Sequence, residues 1–272
     1  MIPRDYITEW RSRAPWADNA QVEQDLVICR ALVNIFSQPV LRDALAFRGG
    51  TAPYKLYLSP AARYSEDIDL VHVRAEPAGA EMDALRAVLD PWLGNARWKQ
   101  TEGRVTFNYR LASQDPTPIP LRLNVEVNTR EYFTEHGLRH VPFEVVSRWF
   151  NGVCDISTDD LDELLGTKLR ALYQRRTGRD LFDIATSISR GDVDPARGVA
   201  ALRRYMAEGG DHVTRAELEE NLVAKLGGKR FVSDIPPLLA AGQTRGCGPS
   251  RRPCCRKALP TPSMSHGRCH GR

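Results

Sequence analysis

The chain has 272 residues, of which 42% are hydrophobic, and a formal net charge of +4. A chain of this length can bury one large core or two smaller ones. No stretch approaches the roughly 20 apolar residues of a membrane-spanning helix and the N-terminus lacks a secretory apolar segment, so we predict a cytoplasmic protein without a membrane partner.

The first predicted elements are helices, because apolar residues recur at helical spacing within residues 18–45, as Val22, Leu26 and Leu32 illustrate. One or two helices packed over a sheet are expected there. An apolar run at 44–47 then leads into a glycine turn.

The glycine turn consists of Gly49 and Gly50, preceded by Arg48 and followed by Thr51 and a helix-compatible segment at 52–58. Glycine lets backbone N–H groups approach a ligand closely, and a helix that begins at Thr51 favours anions at its N-terminus. The pattern predicts a phosphate-binding turn with positive charge from Arg48. A plain tight turn is the alternative interpretation.

Asp67 and Asp69 lie on a predicted strand, 67–73, and point to the same face because strand side chains alternate. Two carboxylates this close repel each other unless a cation lies between them. Their oxygens suit Mg²⁺, with Mn²⁺ as an alternative ion, and Mg²⁺ is usually held by carboxylates together with substrate phosphates. We therefore predict a metal site at Asp67 and Asp69, with a solvated strand edge as the alternative. Ser65, on the same face, is expected to reach phosphate or metal.

A helix at 78–92, with its end limited by Pro91, and three strands at 97–101, 104–111 and 120–128 follow. The third strand alternates most clearly, with Glu126 on its polar face. That face would meet Asp67 and Asp69 if the two strands are neighbours.

From Asp159 the sequence pattern predicts helices, and Lys168 is predicted to lie on the surface-facing side of the first of them. A second helix begins at Arg179, which places Asp183 where it can orient Lys168 or Arg179. Two further helices are predicted in 195–240. Ordinary solvated helix faces would also explain these charges.

Residues 243–272 are rich in Gly, Pro, Ser and Arg, lack apolar periodicity, and contain four of the six cysteines. The cysteine spacing matches no regular zinc pattern. We predict a basic, disordered tail. A shifted reading frame or a foreign extension is an alternative origin for this composition.

Two stretches carry a resemblance to a known family. The first is FRGGTAPYKLYL at 47–58 together with RYSEDIDL at 63–70, and the second is TKLRALYQR at 167–175 together with RDLFD at 179–183. The glycine turn and the DxD strand resemble those of polymerase-beta-type nucleotidyltransferases. The sequence of these stretches is more specifically similar to that of the AbiEii family of nucleotidyltransferase toxins, which includes the MenT toxins.

The resemblance implies an α/β (α+β) fold. Residues 1–157 would form a polymerase-beta-like nucleotidyltransferase core with a mixed sheet, residues 158–242 a helical C-terminal domain, and the cleft would lie between them. The implied reaction transfers a nucleoside monophosphate from an NTP to a hydroxyl and releases pyrophosphate.

The resemblance also implies roles for site residues. Asp67 and Asp69 would bind the metal, and Glu126 would be the third carboxylate, with an exposed glutamate on an amphipathic strand as the alternative. Lys168 would bind the nucleotide and act on the leaving pyrophosphate, supported by Asp183. The remaining nucleotide-binding candidates are Arg48, Gly49, Gly50, Thr51 and Ser65.

The implied acceptor is the 3′ end of tRNA, whose modification would block translation, and the implied partner is a cognate antitoxin protein. Three alternatives stay open. The acceptor could be a protein or a small molecule such as an antibiotic, the chain could transfer a γ-phosphate as a kinase does, or it could be a non-catalytic regulatory binding module.

Overall fold

A computed structural model of the chain describes residues 2–114, 117–190 and 193–239. The predicted tail at 243–272 lies outside these residues. None of the helices within them is long and apolar enough to cross a membrane.

A seven-stranded mixed sheet, in the order β3-β4-β5-β2-β1-β7-β6, organises the molecule. The strands are β1 (Leu45–Arg48), β2 (Asp67–His72), β3 (Arg97–Thr101), β4 (Arg104–Ala112), β5 (Pro120–Asn128), β6 (Arg139–Val146) and β7 (Asn151–Thr158). The pairs β2·β5 and β1·β7 are parallel and the other pairs are antiparallel. The expected mixed sheet is confirmed.

Helices precede, interrupt and follow the sheet. They are α1 (Arg4–Trp10), α2 (Asn19–Phe36), α3 (Pro39–Ala44), α4 (Ala52–Leu56), α5 (Gly79–Leu93), α6 (Leu161–Gln174), α7 (Gly178–Arg190), α8 (Pro195–Glu208), α9 (Arg215–Leu226) and α10 (Lys229–Ser233), followed by a 3₁₀ turn at Pro236–Leu238. The helices expected within 18–45 are α2 and α3, and the cap predicted near Asp159 is Asp160, whose carboxylate accepts a bond from the Glu163 N–H.

The sequence analysis left α1, β6 and β7 unassigned. In β6 only Val145 is buried, and β7 is buried only at its C-terminal end, while the other residues of both strands are exposed or partly exposed. Pro142 in β6 also weakens a strand prediction, although proline is tolerated on an edge strand. Because few of its side chains are fully buried, this hairpin has only a weak apolar pattern from which strands could be predicted.

The helix predicted at 78–92 is α5, which ends one residue beyond the expected position; Pro91 lies in its last turn, and the Gly94 N–H donates to the Asp90 carbonyl. Another helix prediction needs correction. The region 195–240 holds more than two helical segments, because Gly227 and Gly228 separate α9 from α10.

Two hydrophobic clusters fill the interior of the part of the chain that the structure describes. The larger one joins α1, α2 and α5 to the sheet. In the smaller one, Tyr54, Leu58 and Ala62, which lie between the glycine turn and β2, pack with side chains of α6, α7 and α10. This second cluster fixes the helices of the C-terminal part against the strands that carry the predicted site.

Candidate active site

The glycine turn lies directly against the DxD strand. Gly49 has φ +75°, and a Cβ at this position would lie 1.8 Å from Oδ2 of Asp69. Both the backbone conformation and the space therefore require glycine. The N–H of Gly50 hydrogen-bonds to Asp69.

Strand β5 brings a third carboxylate to Asp67 and Asp69. In the parallel register Asp67 lies beside Asn124 and Asp69 beside Glu126, so the polar face of β5 meets the DxD pair as the sequence analysis anticipated. Asn124 Nδ2 donates to Asp67 Oδ1 at 2.9 Å. The carboxylate oxygens that these adjacent strands present are ligands that suit Mg²⁺ or Mn²⁺.

The crowding of carboxylates changes the acidity of Asp69. Burial, and then the charges of Asp67 and Glu126, raise the pKa of Asp69 to about 6, while Lys168 and the Gly50 N–H act in the opposite direction. A cation between the carboxylates would relieve this repulsion. The donor set thus fits a divalent metal ion.

Lys168 is buried, with 8% of its surface exposed, so the prediction that it faces the surface was wrong. Its Nζ lies 3.0 Å from Asp180 Oδ1 and 3.1 Å from Asp183 Oδ2. A Cβ built on Gly50 would lie 3.5 Å from the same nitrogen. The two α7 carboxylates hold the ammonium group beside the glycine turn.

Asp183 is fully buried and binds three side chains. It accepts bonds from Arg63 Nε at 2.6 Å, Arg63 Nη2 at 2.7 Å and the Tyr54 hydroxyl at 2.8 Å, in addition to its contact with Lys168. Although burial opposes ionisation, Lys168 and the hydrogen bonds from Arg63 and Tyr54 hold the pKa of Asp183 below its usual value. Asp183 contacts Lys168 as expected, but its second cationic partner is Arg63 rather than Arg179. It does not line the cleft.

Arg48, Thr51 and Ser65 occupy different positions around the turn. Arg48 lines the cleft, but its Nε lies 2.5 Å from Asp159 Oδ2, so its charge is already paired. Thr51 is buried outside the cleft lining, and its hydroxyl donates to the Asp67 carbonyl at 2.6 Å. Ser65 lines the cleft just before β2 begins, and its hydroxyl lies 2.8 Å from that of Thr51.

These groups surround one cleft of about 690 Å³ between the sheet and helices α6 and α7. Its acidic side is formed by Asp67, Asp69 and Glu126, and its basic side includes Arg63 and Lys168. Three arginines, Arg170, Arg175 and Arg179, also line it, whereas Arg176 lines a different pocket. An acidic surface opposite a basic one suits a metal-bound polyphosphate.

A family model described as "Nucleotidyl transferase AbiEii toxin, Type IV TA system" matches residues 30–251. The chain belongs to this family. It is therefore a nucleotidyltransferase of a toxin–antitoxin system, with an NTP substrate and an antitoxin partner implied by the family.

One solved structure supports the same fold class for this AbiEii-family nucleotidyltransferase. MenT4, a nucleotidyltransferase toxin from Mycobacterium tuberculosis H37Rv, is similar with a TM-score of 0.57 and 16% sequence identity, over 86% of this chain and 91% of that chain. An antigenic nucleotidyltransferase-like protein from Paracoccidioides brasiliensis matches with a TM-score of 0.40 and 18% identity, over 77% and 94% of the two chains. No curated protein sequence matches the chain.

Sequence reasoning missed two side chains that position groups of the AbiEii-family site. Asn124 contacts Asp67, and a parallel β2·β5 register would have revealed it because strand alternation already placed Asn124 on the polar face. Arg63 binds Asp183, and no local pattern reveals this contact because the two residues lie 120 positions apart. Lys55, which is also close to the glycine turn in sequence, is partly buried with its Nζ 2.6 Å from Asp25 Oδ2, and it does not line the cleft.

Proposed function

We propose that this chain is a Mg²⁺-dependent toxin that transfers a nucleoside monophosphate from an NTP to the 3′ end of tRNA and thereby blocks translation. The observation that carries the proposal is the convergence of Asp67, Asp69 and Glu126 opposite Lys168 in one cleft. A tRNA acceptor implies action in the cytoplasm.

The carboxylates have distinct roles in this proposal. Asp67, oriented by Asn124, and Asp69, held by the Gly50 N–H, would bind the metal, and Glu126 would complete the set. Bound Mg²⁺, or Mn²⁺ in its place, would neutralise phosphate charge and lower the pKa of the attacking hydroxyl. Gly49 leaves room for the Asp69 carboxylate, and Gly50 presents its backbone beside Arg63 and Lys168, where phosphate oxygens would bind.

Lys168 would stabilise the negative charge that develops on the leaving pyrophosphate. A cation fixed in advance is effective because it does not reorganise during the reaction. Asp180 and Asp183 hold its Nζ, and Arg63 occupies the other side of Asp183. Asp183 acts here as a positioning residue.

The acceptor proposal is supported by the arginines of the cleft and by the family. Arg170, Arg175 and Arg179 line the same cleft as the carboxylates and can contact RNA phosphates. We also propose that residues 1–157 form the catalytic core and 158–242 the helical domain, since the sheet ends with β7 and only helical segments follow in the described residues.

The test is incubation with each α-labelled NTP and bulk tRNA, followed by a denaturing gel, with Asp69→Asn as the inactive control. Label on tRNA that disappears with EDTA and in Asp69→Asn is the expected result. Parallel reactions with γ-labelled NTPs, total protein and small hydroxyl compounds identify a kinase or another acceptor. Label on protein alone, or from γ-labelled NTP alone, would contradict the proposal.

A further inference from the structure

A second group of metal-ligand side chains lies at the C-terminal end of β2. His72 ends the strand, Glu76 lies in the following loop, and Glu81 is near the start of α5; one ligand atom from each lies within 4.8 Å of the others. Asp67 and Asp69 face the cleft, whereas His72 has the opposite parity in the strand and faces away from it. The group is therefore separate from the candidate active site.

The hydrogen bonding of His72 leaves one ring nitrogen with a free lone pair. Nδ1 lies 2.8 Å from the Arg74 carbonyl oxygen, which can only accept, so Nδ1 carries a proton. Nε2 is fully buried, has no hydrogen-bond partner among the described residues, and lies 3.7 Å from Glu81 Oε1. A histidine fixed in this way presents Nε2 as a metal ligand.

Glu81 reinforces this observation. The residue is only 6% exposed, and its Oε2 also has no hydrogen-bond partner within the described part of the chain. A buried carboxylate with an unpaired oxygen beside an unpaired ring nitrogen is costly unless a cation is shared between the two side chains. A cation bound between the His72 ring and the Glu81 carboxylate would therefore stabilise this pair.

Glu76 supplies a third ligand from the solvent side. It is exposed, and its present contact is a 3.3 Å ion pair with the exposed Arg74. Exposed pairs of this kind contribute little free energy, so Glu76 can exchange Arg74 for a metal ion at small cost. Three protein ligands would leave a fourth position for water.

We propose that His72, Glu76 and Glu81 bind a divalent transition-metal ion of the Zn²⁺ class. Imidazole together with carboxylates suits Zn²⁺, whereas Mg²⁺ prefers oxygen ligands alone. The ion joins the end of β2 to the start of α5. Its role is structural: the ion would fix the end of β2, the strand that carries Asp67 and Asp69 at its other end.

The test uses the full chain with two background changes that remove competing ligands. Cys247, Cys254, Cys255 and Cys269 are replaced by Ser, and Asp67→Asn with Asp69→Asn removes the two β2 carboxylates of the cleft. Equilibrium dialysis against Zn²⁺ should then give one bound ion per chain, and Zn²⁺ should raise the melting temperature. Co²⁺ in place of Zn²⁺ should show a visible absorption band without thiolate charge transfer.

Glu81→Gln and Glu76→Gln should each weaken Zn²⁺ binding by about tenfold or more. Glu76→Gln is informative even if a buried variant folds poorly, because Glu76 is exposed. Glu144→Gln, an exposed change on β6, is the matched control and should leave binding unchanged. Absence of bound Zn²⁺, or equal affinity in the parent, Glu76→Gln and Glu81→Gln, would overturn the proposal and indicate a protonated histidine–glutamate pair.

Discussion

Gly49 has a left-handed backbone conformation, and a Cβ at this position would overlap the carboxylate of Asp69, a catalytic candidate. Gly49→Ala should lose about 1–2 kcal/mol of unfolding free energy from the left-handed backbone alone. It should also abolish transfer, because Asp69 must move. Chemical denaturation and the labelled-NTP assay measure the two effects.

Gly137 provides the control for this change. Its φ is +82°, but a Cβ there meets nothing within 4 Å. Gly137→Ala should therefore show the same backbone cost with normal transfer. Equal loss of activity in both variants would contradict a specific role for the Gly49–Asp69 contact.

Lys168 can be tested against a lysine of equal burial. Lys168→Met keeps side-chain volume but removes the ammonium group, and turnover at saturating NTP should fall by about 10²–10³-fold, as for loss of one preorganised donor. Lys225 is likewise 8% exposed, and its Nζ donates to the main-chain oxygens of Leu172 and Tyr173, outside the cleft. Lys225→Met should lose stability yet retain turnover per folded molecule; a similar fall in turnover would remove the case for Lys168.

The pH dependence of stability should report on Asp69. Its pKa rises from 3.8 to about 6 in the folded chain, so the folded state holds this proton more tightly than the unfolded state does. Ionisation therefore costs stability as pH rises from about 4 to about 6, and the cost persists above that range. In EDTA, Asp69→Asn should match the parent near pH 4 and melt higher above pH 6. Melting curves with no such divergence would show that burial and the neighbouring carboxylates do not raise the pKa of Asp69.

The sequence revealed the residue types of the site better than their surroundings. Gly49, Asp67 and Asp69 were evident because their constraints are local: a turn and an alternating strand. The burial of Lys168 and the pairing of Arg48 were not evident, because Asp180 and Asp159 reach them through tertiary packing.

Among the elements, the β2·β5 pair decides whether a third carboxylate reaches the site. The register places Glu126 beside Asp69, with 30% of its side chain exposed and Arg104 at 3.1 Å. If Glu126 completes the metal set, Glu126→Gln should lower turnover at least tenfold and raise the Mg²⁺ concentration required. The Glu144→Gln variant on β6 should leave both unchanged in a Mg²⁺ titration. Parent-like kinetics for Glu126→Gln would reduce it to an exposed strand residue.

Elements were predictable where burial alternates. Strand β5 alternates between buried and partly exposed residues over its length, and both its position and its polar face were anticipated. The β6–β7 hairpin has few fully buried side chains, so the contrast between its inward and outward positions is weaker than in β5. Strand order itself could not be read from the pattern, because a parallel neighbour such as β5 is distant from β2 in the chain.

At the scale of the whole molecule, the last described residues close onto the start of the DxD segment. The Tyr64 N–H donates to the Leu238 carbonyl at 2.7 Å, and Arg63 forms a bridge with Leu239. Deletion of 235–272 should therefore cost about 0.5–1.5 kcal/mol per lost hydrogen bond and lower the melting temperature by several degrees. Deletion of 243–272 should leave both melting temperature and turnover unchanged. Similar losses in the two truncations would show that the tail contributes to the fold.

The second hydrophobic cluster has a consequence for how the toxin is made. Tyr54, Leu58 and Ala62 pack with side chains of α6, α7 and α10, which follow much later in the chain, and Lys168 is held by carboxylates of α7. Ribosomes synthesise the chain from its N-terminus, so the glycine turn and the carboxylate strand emerge long before those partners. A nascent chain that ends before Asp183 lacks one of the two carboxylates that hold the Lys168 ammonium group beside the glycine turn. The cleft is therefore incomplete until most of the chain has left the ribosome that produces it.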